Sequence, residues 1–294
     1  MAWQAFTLRF IDGIGKGTKD APRDALVAQS AKEGKMGLSF GYQRMLDTFG
    51  SVAGPLATAG ILLLLAQNAI RYRIVFYIGG LISAVTLLLI AFFVKEQPQG
   101  GSAQKVPFSR TLLKGKFLGF LLIMLLFTLG NSSDSYLILR AQNVGVSVIA
   151  IPVLYALFNL FYALLSAPAG ALSDKIGRIK VMQAGWLIYA VSYLGFAFAN
   201  QAWQIWVIYG FYGFYYATTE GVSKALVARV VPDNQRGTAY GFFNASLGLM
   251  ALPANLIAGL LWDRVAPAAT FYFGAGCALL ALALLSLSGL ERST

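Results

Sequence analysis

The stretch Gly170-Ala-Leu-Ser-Asp174-Lys175-Ile-Gly177-Arg178-Ile-Lys180 packs one acid and three bases into eleven positions. On either side the chain then runs without charge, from 141 to 173 and from 181 to 219. A helix needs about 20 apolar residues to cross hydrocarbon, so both flanks are long enough to span a bilayer and the basic stretch is a short loop between spans. Short loops rich in Lys and Arg stay on the cytoplasmic side. This one stretch sets the fold class, an all-α polytopic membrane protein, and fixes an orientation from which to work outward.

Composition agrees. Hydrophobic residues make up 57% of the 294 and charged residues 12%, about half the usual charged share of a soluble domain, so lipid must be the solvent of much of the surface. There is no histidine, and the one cysteine, Cys277, lies in an apolar run. That excludes a disulfide framework, the usual His/Cys zinc site and any Ser-His-Asp or Cys-His arrangement, so neither an enzyme nor a metal site is expected. The net charge of +11 is scattered between apolar runs rather than gathered on one face, which argues against nucleic acid. Gly13-Ile-Gly15-Lys16-Gly17-Thr18 has the glycines of a phosphate loop but not its spacing, and no cofactor is expected.

Uncharged stretches at 48–70, 74–94, 117–133, 141–173, 181–219, 237–262 and 265–290, the fifth long enough to divide at Asn200-Gln201 into helices over 180–199 and 203–228, with a charge-interrupted candidate at 2–22, predict about nine transmembrane helices. Alternate loops hold Lys32, Lys35, Lys95, Lys105, Arg110, Lys114, Lys116, Lys175, Arg178, Lys180, Arg229, Arg236 and Arg292, against Arg71, Arg73, Arg140 and Arg264 in the others. The richer set is read as cytoplasmic, which puts the C-terminus inside, in a plasma or inner membrane. A shift of 200 positions superposes Ala25-Leu26-Val27-Ala28 on Ala225-Leu226-Val227-Ala228, Gly13 on Gly213, Thr18 on Thr218, Gly37 on Gly237 and Gly41 on Gly241. Asp20 with Glu220 and Phe40 with Tyr240 fit the same shift. The copies are an even number of spans apart, so they run in parallel, as transporter halves do. The expected organisation is a partial N-terminal half of three helices (1–94), a cytoplasmic linker (95–116) and a complete six-helix C-terminal half (117–294).

With these residues in hand, the 170–180 loop closely resembles the G-x-x-x-D-[RK]-x-G-R-x-[RK] signature of the major facilitator superfamily. Arg9-Phe-Ile-Asp12-Gly13-Ile-Gly15 is similar to that family's R-x-x-Q-G-x-G motif with Asp12 in place of Gln, and Gly50-Ser-Val-Ala-Gly54-Pro55 resembles its antiporter-associated Gly-Pro motif. The resemblance aligns the chain with the last nine of the family's twelve helices, leaving the first three unmatched. It implies secondary active transport, with Arg9 in proton coupling, Gly170, Asp174, Gly177 and Arg178 in a gating loop, and Gly50, Gly54 and Pro55 in helix packing. Carried through the repeat, it also implies that Asp174 docks on the helix start near Gly37, where the helix dipole favours an anion.

Ionisable groups in a span each cost about 2.5 to 3.5 kcal/mol on insertion scales and so need a partner or a task. Arg9 with Asp12, Arg44 with Asp47, and Glu220 with Lys224 are spaced to meet along one helix face. Asp134, after Asn131-Ser132-Ser133, has no base three or four positions away and is a candidate proton carrier. Tyr209, Tyr212, Tyr216 and Glu220 form one stripe suited to a lipophilic or cationic solute. The resulting expectation is a transporter of a small organic solute, exchanging it for protons as an antiporter working by alternating access. The rival readings are a non-transporting membrane scaffold or sensor, or an inactive fragment, on the same fold.

Overall fold

The computed structural model describes residues 19–64, 70–93 and 114–290, and every regular element among them is helical. Residues 19–30 are helical and are labelled α1. There follow α2 (Met36–Leu64), α3 (Ile70–Phe93), α4 (Gly115–Gly130), α5 (Asp134–Asn143), α6 (Ile151–Ile176), α7 (Arg178–Phe198), α8 (Ala202–Val230), α9 (Arg236–Arg264) and α10 (Pro267–Leu287). Six stretches among the described residues are long and apolar enough to cross a membrane: 73–92, 115–143, 148–176, 178–198, 233–264 and 267–287. The 29-residue α8 is long enough, but its tyrosines, threonines and charges dilute its hydropathy below that level.

Contacts divide the chain into two compact units, Met1–Thr48 with Phe108–Thr294, and Phe49–Pro107. In the first, α8 packs against α6 and α7, and α10 against α7 and α4. Its centre is aromatic: Trp186, Tyr189, Tyr193, Phe120, Phe196 and Phe271 are fully buried, and Phe127 stacks on Trp186 with ring centroids 4.7 Å apart. Its outer surface carries exposed leucines such as Leu249, Leu252 and Leu256, as expected where lipid replaces water. The second unit holds the rest of α2 and α3, and the 73–92 span of α3 is unburied throughout.

Two sequence expectations change. The boundary expected between 133 and 141 is absent, because α4 and α5 together form one span, 115–143, interrupted only at residues 131–133. Arg140 is therefore not a loop charge: its guanidinium donates to the Phe196, Ala197 and Ala199 carbonyls at 2.9 to 3.1 Å and satisfies the C-terminal end of α7. The expected packing glycines Gly50 and Gly54 meet no described neighbour within 4 Å, and Pro55 lies inside α2. Close packing among the described residues falls on Gly37, Gly41, Gly170, Gly130, Gly213 and Gly274.

The 200-residue repeat has a geometric counterpart. The Phe40 and Tyr240 rings, equivalent by that shift, lie 5.9 Å apart. A Cβ on Gly221 would sit 3.2 Å from the Gly41 nitrogen, while the equivalent contact pairs Gly241 with Ala21 at 3.8 Å. Equivalent residues meet each other, and contacts recur in exchanged form, only around a two-fold axis.

Candidate functional site

The signature loop is built on a tight joint between α6 and α7. Gly177 takes φ 104°, a conformation that L side chains rarely adopt, and so turns the chain within one residue. That turn leaves Asp174 near the end of α6 facing the first residues of α2. The Gly37 and Leu38 N–H groups donate to its two carboxylate oxygens at 2.8 and 2.9 Å, so the contact expected at Gly37 is present. These are orphan donors of a helix N-terminus, where an anion is favoured by both hydrogen bonding and dipole. A Cβ on Gly170 would fall on the Gly37 carbonyl and 3.2 Å from the Gly41 Cα, so the approach of α2 to α6 depends on glycine at these positions. Arg178 completes the joint, donating to Asp174 at 3.4 Å and to the Ala225 carbonyl of α8 at 3.2 Å.

The break between α4 and α5 is sealed by side chains from three other helices. Tyr189 donates to the Gly130 carbonyl at 2.9 Å, the Asn131 amide to Tyr215 at 3.2 Å, and the Ser133 N–H to Asn255 Oδ1 at 2.8 Å. A broken helix at membrane depth survives only where its freed backbone groups are satisfied in this way. Ser133 caps α5 by accepting from the Ser135 N–H at 3.3 Å, and Asp134 occupies the first turn. Tyr212 and Tyr216 donate to the Asp134 carboxylate at 3.3 and 3.4 Å, and among the described residues Asp134 enters no ion pair. Tyr209, the first member of the stripe, is buried among Phe158 and Phe196, and its hydroxyl has no partner among the described residues.

Beside this break lies a cavity of about 360 Å³. One part of its wall is apolar and aromatic, with Met124, Phe127, Tyr215, Tyr216, Phe243 and Leu247; another holds Asp20, Arg44, Thr219, Glu220, Lys224 and Asn244. Most of these charges pair between helices, with Arg23 also reaching Asp20 along α1. Arg44 of α2 meets Glu220 of α8 at 2.8 Å, Lys224 of α8 meets Asp24 of α1 at 2.6 Å, and Arg23 bridges Asp20 and Asp47, each at 3.2 Å. Tyr162 of α6 also donates to Glu220. Two polar atoms of wall residues, Arg44 Nε and Asn131 Oδ1, are buried without a hydrogen-bond partner among the described residues, one an open donor and the other an open acceptor.

The structure thus gathers Arg44, Asn131, Tyr216, Glu220 and Lys224 at the cavity, and Asp134 and Tyr212 beside it. Asp47 sits apart with Arg23, while Arg9 and Asp12 lie outside the described residues. Asp20, Asp24, Tyr162 and Asn244 are not among the expected site residues, although the repeat matches Asp20 to Glu220. The signal for Asp24 was available, since the shift that pairs Asp20 with Glu220 also carries Asp24 onto Lys224.

These features define a polytopic helical membrane protein whose parallel repeats enclose a polar, charge-paired cavity beside a broken helix. The chain belongs to the major facilitator superfamily: the family model matches it twice, over residues 1–139 and 119–293. It is 37% identical over 283 residues to an uncharacterised MFS-type transporter of Methanocaldococcus jannaschii, covering 94% of this chain and 69% of that protein. It is 22% identical over 267 residues to the multidrug resistance protein MdtH of Salmonella arizonae, covering 89% and 64%. The solved structure of a human organic anion transporter has the same fold, with a TM-score of 0.74 at 16% identity over 90% of this chain and 67% of that one. The chain thus spans about two thirds of the length of these relatives.

Proposed function

We propose that this chain works in secondary active transport, exchanging a small amphipathic organic cation for protons by alternating access between the two repeats. One observation carries the cationic and proton-coupled part of this reading. Around the cavity Arg44 and Lys224 are each neutralised by a carboxylate, whereas among the described residues Asp134 is held only by tyrosine hydroxyls. The surplus charge beside the cavity is therefore negative, which suits a proton or an organic cation and disfavours an anion. The aromatic wall of Phe127, Tyr215 and Tyr216 offers ring faces to such a cation, and Asn131 Oδ1 an open acceptor. Asp134 and Glu220 are the proposed proton and solute sites, and Arg44 the partner that holds Glu220 charged. Arg9 keeps the coupling role that the family motif implies, and Asp12, which replaces the motif's Gln, is a further candidate proton or solute site. The multidrug resistance relative and the Gly-Pro motif favour the export reading, and the charge bias of the loops favours an inner-membrane placement with the C-terminus cytoplasmic.

The test is proton release from acid-loaded everted vesicles carrying the chain, followed with a pH-sensitive dye. Adding tetraphenylphosphonium is expected to dissipate the gradient faster than in vesicles without the protein, while an organic anion such as fluorescein has no effect. Dissipation by the anion alone overturns the cationic reading.

A further inference from the structure

The repeat and the ion pairs meet at one place. Asp24 and Lys224 occupy equivalent positions in the two copies, 200 apart, and Lys224 Nζ lies 2.6 Å from Asp24 Oδ2. Only residues on the two-fold axis touch their own equivalents, so this pair sits on that axis with Phe40 and Tyr240. The Tyr240 hydroxyl donates to the Lys224 carbonyl at 3.0 Å, which ties the ring pair and the ion pair into one layer. Both side chains are enclosed, at 7% and 0% exposure, and the Asn244 amide is a further donor to Asp24 Oδ2 at 3.3 Å. Along α8 the layer lies two turns beyond Tyr216, between the cavity, which Lys224 itself lines, and the basic end where Asp174 caps α2.

A position on a two-fold axis is awkward for a charge. Identical copies would set two carboxylates or two ammoniums against each other in a buried site, and only divergence to opposite signs turns that meeting into attraction. The two copies here carry that complementary difference. We propose that the Asp24–Lys224 pair is the lock that closes the cavity toward the basic end, holding the two repeats together on their common axis until transport opens that side. The assignment rests on the alternating-access reading, but its test does not require a solute.

Ser223, buried beside Lys224 at the cavity wall, serves as reporter once Ser223→Cys is combined with Cys277→Ser, which leaves a single thiol. In everted vesicles the labelling rate with a membrane-impermeant maleimide is compared for the parent, Lys224→Asp, Asp24→Lys and the exchanged double variant. Either single substitution is expected to raise the rate about tenfold or more, and the double variant to bring it back within about threefold of the parent. Unchanged rates in the singles, or a double variant as fast as the singles, overturn the lock. Should the like-charge singles not fold, Asp24→Asn and Lys224→Met replace them. Acceleration that is no greater in their double than in either single supports the lock, and additive acceleration overturns it. Restored protection in a protein that moves no protons would retain the lock and remove the solute reading, so the two fail separately.

Discussion

The glycine pair Gly37 and Gly237 holds equivalent places in the two copies, yet alanine at these positions should act in opposite directions. A Cβ on Gly37 would lie 2.5 Å from the Gly170 carbonyl oxygen and 2.9 Å from Asp174 Oδ1, and closer still to Ser173 Oγ. Two of these obstacles cannot step aside. The carbonyl is backbone, and the buried Ser173 hydroxyl is engaged with that same carbonyl at 2.7 Å. Restoring normal contact, about 3.5 Å, requires α2 and α6 to part by roughly 1 Å. Bonds now at 2.8 and 2.9 Å between Asp174 and the α2 N-terminus would then stretch out of range. Overpacking costs about 1 to 3 kcal/mol and charge-assisted bonds about 1.5 to 3 each; since one displacement relieves the first by sacrificing the second, the expected loss is about 2 to 4 kcal/mol. A Cβ on Gly237 meets nothing within 4 Å among the described residues, so alanine there should gain about 0.5 to 1 kcal/mol from helix propensity. Denaturant titration in detergent, read by tryptophan fluorescence, gives both values. A Gly37→Ala loss under about 0.5 kcal/mol, or equal shifts for the two variants, would refute the reasoning about this crossing.

Other consequences are local. Asn255→Leu leaves the Ser133 N–H without its acceptor at the α4–α5 break and should cost about 1 to 3 kcal/mol, with faster amide exchange confined to residues 131–136. Arg140→Met strips the donor from three carbonyls at the end of α7 and should cost a similar amount, about 1 to 3 kcal/mol, by the same titration. Glu220→Gln removes the carboxylate paired with the half-buried Arg44 guanidinium and should cost about 1 to 3 kcal/mol, whereas Arg44→Met with Glu220→Gln should cost less than the sum of the two single changes.

How far the sequence could be read depended on whether a feature lived within one helix or between several. The apolar runs placed most spans because hydrocarbon demands them of each helix separately. Asp174 on the α2 start was expected as well, but through the family resemblance carried across the repeat, with the helix dipole favouring an anion at Gly37. The spacing of Arg44 to Asp47 and of Glu220 to Lys224 misled, because i,i+3 and i,i+4 arithmetic knows only one helix, and burial rewarded partners on neighbouring helices instead. Asn131-Ser132-Ser133 read as a polar segment of a continuing helix, because the donors and acceptors that let the backbone break there come from Tyr189, Tyr215 and Asn255, far along the chain. Arg140 read as a loop charge for the same reason, its partners being carbonyls of α7.

The central claim is that Asp134 is the carboxylate for which proton and solute compete. Its direct measurement is proton release per tetraphenylphosphonium bound, by purified protein in weakly buffered detergent solution, for the parent and Asp134→Asn. The parent should release protons as the cation binds, and the Asn variant, with the Tyr212 and Tyr216 contacts sterically preserved, should release none. Undiminished proton release by Asp134→Asn would contradict the account.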